Sequence, residues 1–121
     1  MSEDPLKRLN IKTSVVKRMI KERESYIKQV PKDEARAKKL EESATTEDEK
    51  YAAKKANEVT LETRSMVKEA ERRLETAAND LEEYLKSLGL VEGIEETAEA
   101  RAQLANAREV IARKDEQSSS A

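Results

Sequence analysis

By type and spacing, the side chains of this sequence that could do chemistry are its carboxylates. Glu71 and Glu75 stand one helical turn apart, and Glu95, Glu96 and Glu99 crowd a single stretch. On a helix such groups share a face, and helical bundles that hold metal pairs point carboxylates of this kind inward. Those centres add histidine through a Glu-x-x-His motif, and this chain has no histidine and no cysteine. The commonest metal ligand, the commonest general base and the thiolate nucleophile are therefore all missing. The simpler reading of the carboxylates is a solvated helix face with i,i+4 partners, so no metal, no cofactor and no catalytic residue is expected. Both glycines, Gly89 and Gly93, fall in one link, which leaves no Gly-rich loop to cradle a phosphate.

Cations offer a binding chemistry instead. Residues 1–30 carry eight Lys and Arg against four Asp and Glu, a net of +4, whereas residues 59–121 carry nine against fourteen, a net of −5. The cluster Lys12, Lys17, Arg18 and Lys21 suits an acidic protein partner and would speed encounter with it. The alternative is that these cations pair with the chain's own acidic helices, and the sequence weighs the two evenly. Nucleic acid is a poor partner, because the pI is near 5.5 and no aromatic residue interleaves with the cluster to stack on bases.

The elements that position these groups follow from composition. A chain of 121 residues makes one domain at most. It is 41% charged and 2% aromatic, with two glycines and two prolines, and Glu, Ala, Lys, Arg and Leu dominate. These are strong helix formers, and a β-sheet is not expected. No apolar run exceeds that of Val110-Ile111-Ala112, far short of the ~20 residues of a membrane span, and the first residues are charged rather than leader-like. The chain is expected to be soluble and untargeted in a reducing cytoplasm, with no membrane contact.

Asp4-Pro5 reads as an N-cap followed by proline at the first helical position. Leu9, Val16, Val30 and Ala37 keep seven-residue spacing, filled in by Ile20 and Ile27 and widened by Leu6, Met19, Tyr26 and Leu40. Pro31 predicts a kink around Tyr26 to Val30 rather than a break. Thr46 with Glu49 has capping-box spacing. From there Ala53, Ala56, Thr60, Thr63, Val67, Ala70, Leu74, Ala77, Leu81, Tyr84 and Leu88 form a heptad seam that ends at Gly89, a left-handed C′ residue. After the link Leu90 to Gly93, a shorter helix places Ile94, Thr97, Ala100, Leu104, Ala107 and Ile111 on one face.

Short links force antiparallel neighbours. The expected fold is all-α, an antiparallel three-helix bundle: a spectrin-like, coiled-coil hairpin of two long helices plus a shorter third. Residues 1–115 form the single bundle, with helices of about 5–42, 47–88 and 94–114, and 116–121 form a disordered tail. The third helix is too short to cover both partners along their whole length. Val16, Met19, Ile20, Leu74, Leu81 and Leu88 fall where three helices meet, while Ala37, Ala53, Ala56, Thr60 and Thr63 fall where only two do, and that thin end should be the more mobile. It could also pair with a second copy, so monomer and homodimer both stand.

Three stretches carry a family resemblance. Ile11-Lys12-Thr13-Ser14-Val15-Val16-Lys17-Arg18-Met19-Ile20-Lys21-Glu22, followed by Tyr26, resembles the opening of tubulin-binding cofactor A, the tubulin-specific chaperone A family. Tyr51-x-x-Lys54-Lys55, Glu62-Thr63-Arg64-x-Met66-Val67 and Arg72-Arg73-Leu74-Glu75 are similar to its second helix, and Glu99-Ala100-Arg101 with Leu104 is similar to its third. The matches keep the family's order and spacing over roughly residues 9–107. Where the family usually has a proline in helix 2, this chain has Lys68, and its own proline lies in helix 1 at Pro31.

The resemblance implies a cytoplasmic, cytoskeleton-associated chaperone without enzyme activity or nucleotide. Such a protein captures quasi-native β-tubulin released by the cytosolic chaperonin and passes it to the other tubulin-folding cofactors during heterodimer assembly. Carried over position by position, the β-tubulin contacts are Lys12, Lys17, Arg18, Tyr26, Tyr51, Lys54, Lys55, Arg64, Arg72 and Arg73. For the two tyrosines the plainer reading is packing against the hairpin. The rival function is a structural coiled-coil adaptor that binds another cytosolic protein.

Overall fold

In a computed structural model of the chain, residues 4–89 and 95–119 are described, with side chains to Lys114. Three helices follow one another, α1 (Pro5–Ser43), α2 (Glu47–Leu88) and α3 (Glu95–Ser119), and the described residues contain no strand. The fold is all-α, built from three antiparallel helices. The link from Leu90 to Gly93, Ile94 and the last two residues lie outside the described residues.

Local chemistry sets the helix ends. Asp4 Oδ1 accepts the Leu6 N–H at 3.0 Å, and Pro5 occupies the first helical position, where a missing donor costs nothing. At the start of α2, Thr46 Oγ1 accepts the Glu49 N–H at 3.1 Å while Glu49 Oε1 accepts the Thr46 N–H at 3.0 Å, a reciprocal capping box. Thr45 adds its N–H at 3.1 Å and its hydroxyl at 2.9 Å to the same carboxylate oxygen. These donors, the Thr46 N–H foremost, lower the Glu49 carboxyl to about 2. Gly89, with φ +57°, ends α2 in the left-handed conformation that glycine adopts at no steric cost. α1 continues through Pro31. Pro31 and Ile27 are both exposed, so water can satisfy the Ile27 carbonyl that loses its donor.

α3 departs from its expected end. It runs to Ser119 rather than fraying near Lys114, so residues 116–119, expected as disordered tail, are helical. No glycine or proline stops the helix there, and Glu116 and Gln117 are good helix formers.

The fold divides into two compact units. The first holds residues 1–21 and 71–121, the second residues 22–70. In the first, α1, α2 and α3 enclose Leu9, Val16, Met19, Leu74, Leu81 and Val110, with Ala78, Ala100 and Ala107 filling close approaches. Leu6, Ile20, Tyr84, Leu88, Leu104 and Ile111 pack around them. α1 and α2 run antiparallel there, since the Tyr84 hydroxyl donates to the Pro5 carbonyl at 3.3 Å and Lys12 meets Asp80 at 2.6 Å.

The second unit is a two-helix hairpin with a seam of small residues: Ala37, Ala53, Ala56, Thr60, Thr63 and Ala70 are buried. The Thr60 hydroxyl returns to the Ala56 carbonyl at 3.1 Å, and Thr63 donates across the hairpin to Asp33 at 2.6 Å. That bond, with a second from Gln29, holds the Asp33 carboxyl below its ordinary value. With only one helix to cover it, the apolar stripe of α1 narrows in this unit. Ile27, expected on the stripe, is 37% exposed.

Candidate functional site

α1 carries six cations and no carboxylate from Pro5 to Lys21, and the structure splits them by role. Lys12 turns inward: its side chain is 20% exposed, its ammonium pairs with Asp80, and it lies 5.3 Å from the centre of the Tyr84 ring. Arg8 lies 5.8 Å from the same ring. Lys17, Arg18 and Lys21 are exposed and form no ion pair among the described residues. Pairing within the chain is thus seen at Lys12, while the other three cations stay exposed to solvent.

Of the ten residues carried over from the resemblance, the first unit holds Lys12, Lys17, Arg18, Arg72 and Arg73, and the second holds Tyr26, Tyr51, Lys54, Lys55 and Arg64. Arg72 and Arg73 are exposed on α2. Tyr26 is half-buried, its hydroxyl 3.5 Å from Glu22 Oε1. Tyr51 is 60% exposed rather than packed on the hairpin, because it points away from the Ala53 and Ala56 seam, and the Lys55 ammonium lies 5.3 Å from its ring centre. Glu58, 3.3 Å away, and then Tyr51 push the Lys55 ammonium up from its ordinary value. Arg64 reaches across the hairpin to Glu34 at 3.3 Å.

The second unit also contains a surface groove between α1 and α2. It consists of two depressions of about 470 and 430 Å³ that share Glu41, Asn57 and Leu61. Lys38 and Arg64 rim one, and Lys50 and Lys54 rim the other. Leu61, 62% exposed, has the highest exposure of the described large apolar side chains. Reading the heptad seam passes over Leu61 because it stands one residue beyond Thr60, off the buried stripe. The available signal was that offset itself, a leucine where the pattern asks for a polar residue.

Among the described residues no three or more acidic side chains gather in a way that could hold a metal ion. No described helix is long and apolar enough to cross a membrane. The described residues offer charged helix faces, a run of exposed cations on α1 and a groove in the second unit.

The family profile described as "Tubulin binding cofactor A" matches residues 4–111. The tubulin-specific chaperone A of Oryctolagus cuniculus is 39% identical over 101 residues, covering 84% of this chain and 91% of that protein. The tubulin-folding cofactor A of Arabidopsis thaliana is 34% identical over 83 residues, covering 69% of this chain and 71% of that protein. Among solved structures, the Arabidopsis thaliana tubulin folding cofactor A superposes with a TM-score of 0.73 at 28% identity, covering 87% of this chain and 96% of its own. The human tubulin chaperone cofactor A superposes with a TM-score of 0.68 at 33% identity, covering 87% and 99%. With the profile spanning nearly the whole chain and the three helices shared, this chain belongs to the tubulin binding cofactor A family.

Proposed function

We propose that this chain is a tubulin-folding chaperone that captures quasi-native β-tubulin released from the cytosolic chaperonin and passes it to the other tubulin-folding cofactors in the cytoplasm, without catalysing a reaction. The observation that carries the reading is the family match over residues 4–111, a range that takes in α1, α2 and most of α3. The mechanism needs nothing beyond mass action. Binding at a cofactor concentration about a hundredfold above Kd lowers the free client about a hundredfold and masks surface that would otherwise aggregate.

The residues proposed to contact β-tubulin are Lys17, Arg18, Arg72 and Arg73 in the first unit and, in the second, Tyr26, Tyr51, Lys54, Lys55 and Arg64. Lys12 contributes to holding α1 on α2, since Asp80 already takes its charge. Size exclusion of the purified chain mixed with chaperonin-released β-tubulin, at low salt and with the chain in excess, tests the reading. Co-elution of the two is expected. Failure to co-elute, while the chain captures some other cytosolic protein, would turn the assignment to a coiled-coil adaptor.

A further inference from the structure

A single exposed leucine is ordinary on a protein surface. Leu61 differs because of the register in which it stands on α2. In steps of seven, Leu61 shares its heptad position with Lys54, Lys68, Glu75 and Glu82, and the position four residues before it runs Lys50, Asn57, Arg64, Glu71 and Ala78. These two rows make one flank of α2. In the first unit that flank receives α3: Ala78 is fully buried in a core with Ala100 and Ala107, and Glu82 takes Arg108 at 2.9 Å. In the second unit, made of α1 and α2 segments alone, the same register presents Asn57 and Leu61 in the groove.

The charge on the flank changes sign along with its cover. Every charged residue from Glu71 to Glu82 in these rows is a carboxylate, facing a helix that brings arginine. In the same two rows every charged residue from Lys50 to Lys68 is a cation, Lys50, Lys54, Arg64 and Lys68, while Glu58, which also lines the groove, is paired with Lys55 at 3.3 Å. On the α1 side of the groove, Glu34 is paired with Arg64, and Lys38 and Glu41 balance. With Arg64 and Glu34 paired to each other and Glu58 paired to Lys55, Lys50 and Lys54 on α2 give the groove its net positive charge. A helix seated here as α3 is seated in the first unit would place small or medium apolar residues over Leu61 and carboxylates toward Lys54 and Lys68. The run from Lys50 to Lys68 is about 27 Å long, five turns of helix. A second copy fits poorly, because symmetric pairing of this flank sets Lys54 and Lys68 against like charge, and α3 itself carries arginine toward its seat.

We propose that the α1–α2 groove around Leu61 is the seat for one acidic amphipathic helix of the partner protein, docked in the manner of α3 with its charges inverted. The proposal rests on the β-tubulin reading for the identity of that partner, and its test separates the two. Replace Leu61 with the photo-cross-linking residue p-benzoylphenylalanine in the full chain, do the same at Val59 on the other side of α2, and irradiate each with chaperonin-released β-tubulin. The expected result is a cross-link from position 61 to β-tubulin residues spaced three and four apart in an acidic helix, with at most a tenth of that yield from position 59. In parallel, Lys54→Glu with Lys68→Glu should weaken co-elution at least tenfold at low salt while helicity is unchanged. A complex that forms normally but cross-links from position 61 no better than from 59, or only to a second copy, or that tolerates the double reversal, overturns the groove and leaves the chaperone reading standing. Absence of any complex from the unmodified chain overturns the chaperone reading and the groove with it.

Discussion

Lys12 and Lys17 lie little more than a turn apart on α1 and do opposite things. Lys12 is largely covered, paired with Asp80 and set against Tyr84, so its removal costs stability. Asp80 remains over half exposed, which limits the ion pair, and Lys12→Ala should lower the unfolding free energy by about 1 kcal/mol with the cation–π contact included, read by urea titration. Lys17 and Arg18 reach solvent. Lys17→Glu with Arg18→Glu should leave the urea midpoint nearly unchanged, slow association with β-tubulin about tenfold at low salt, and flatten its salt dependence. Stopped-flow association at two ionic strengths checks this, and an unchanged on-rate would remove both cations from the proposed contacts. Glu49 supplies an acid limb. Its carboxyl is held at about 2 against an ordinary 4.5, so its capping contribution is complete above the ordinary value and is lost as pH falls through about 2. Glu49→Ala should flatten the fall of stability between about pH 4.5 and 2 relative to the unmodified chain, measured by denaturant titration at stepped pH.

At the scale of elements, helix ends and seams were legible in the residues, since each rests on neighbours a few positions away. The Asp4 cap, the Thr46 and Glu49 box and the Gly89 terminus are local geometry, and the sorting of leucines from alanines follows from how many helices can cover a position. What depends on the partner helix was less legible. Ala78 is more deeply buried than Ala77, and Ile27 is left exposed, because crossing and coverage decide which edge of a stripe is sealed. Of the candidate site, the exposed cations could be read from charge counts, but the inward turn of Lys12 and the groove beside Leu61 could not, as both need the position of α2 against α1. The unequal seams carry a prediction. Leu81→Ala, at a fully buried site, should cost about 2–5 kcal/mol, whereas Ala56→Gly in the second unit should cost about 1 kcal/mol, mostly from helix propensity. Amides of α2 between Ala53 and Val67 should exchange with deuterium at least tenfold faster than those between Leu74 and Leu85, measured by mass spectrometry.

At the scale of the molecule, the proposed function comes down to stoichiometric binding. On the proposed function, the chain would lower the free concentration of an aggregation-prone client and let it go by mass action. Catalysis would show as turnover or as dependence on a nucleotide, and capture shows as saturation. The most direct measurement is a titration of this chain into chaperonin-released β-tubulin in nucleotide-free buffer, followed by sedimentation velocity. Stoichiometric capture predicts a complex that grows linearly with added chain and stops at a fixed ratio. A β-tubulin boundary that does not move at any ratio, or moves only when ATP or GTP is hydrolysed, would contradict it.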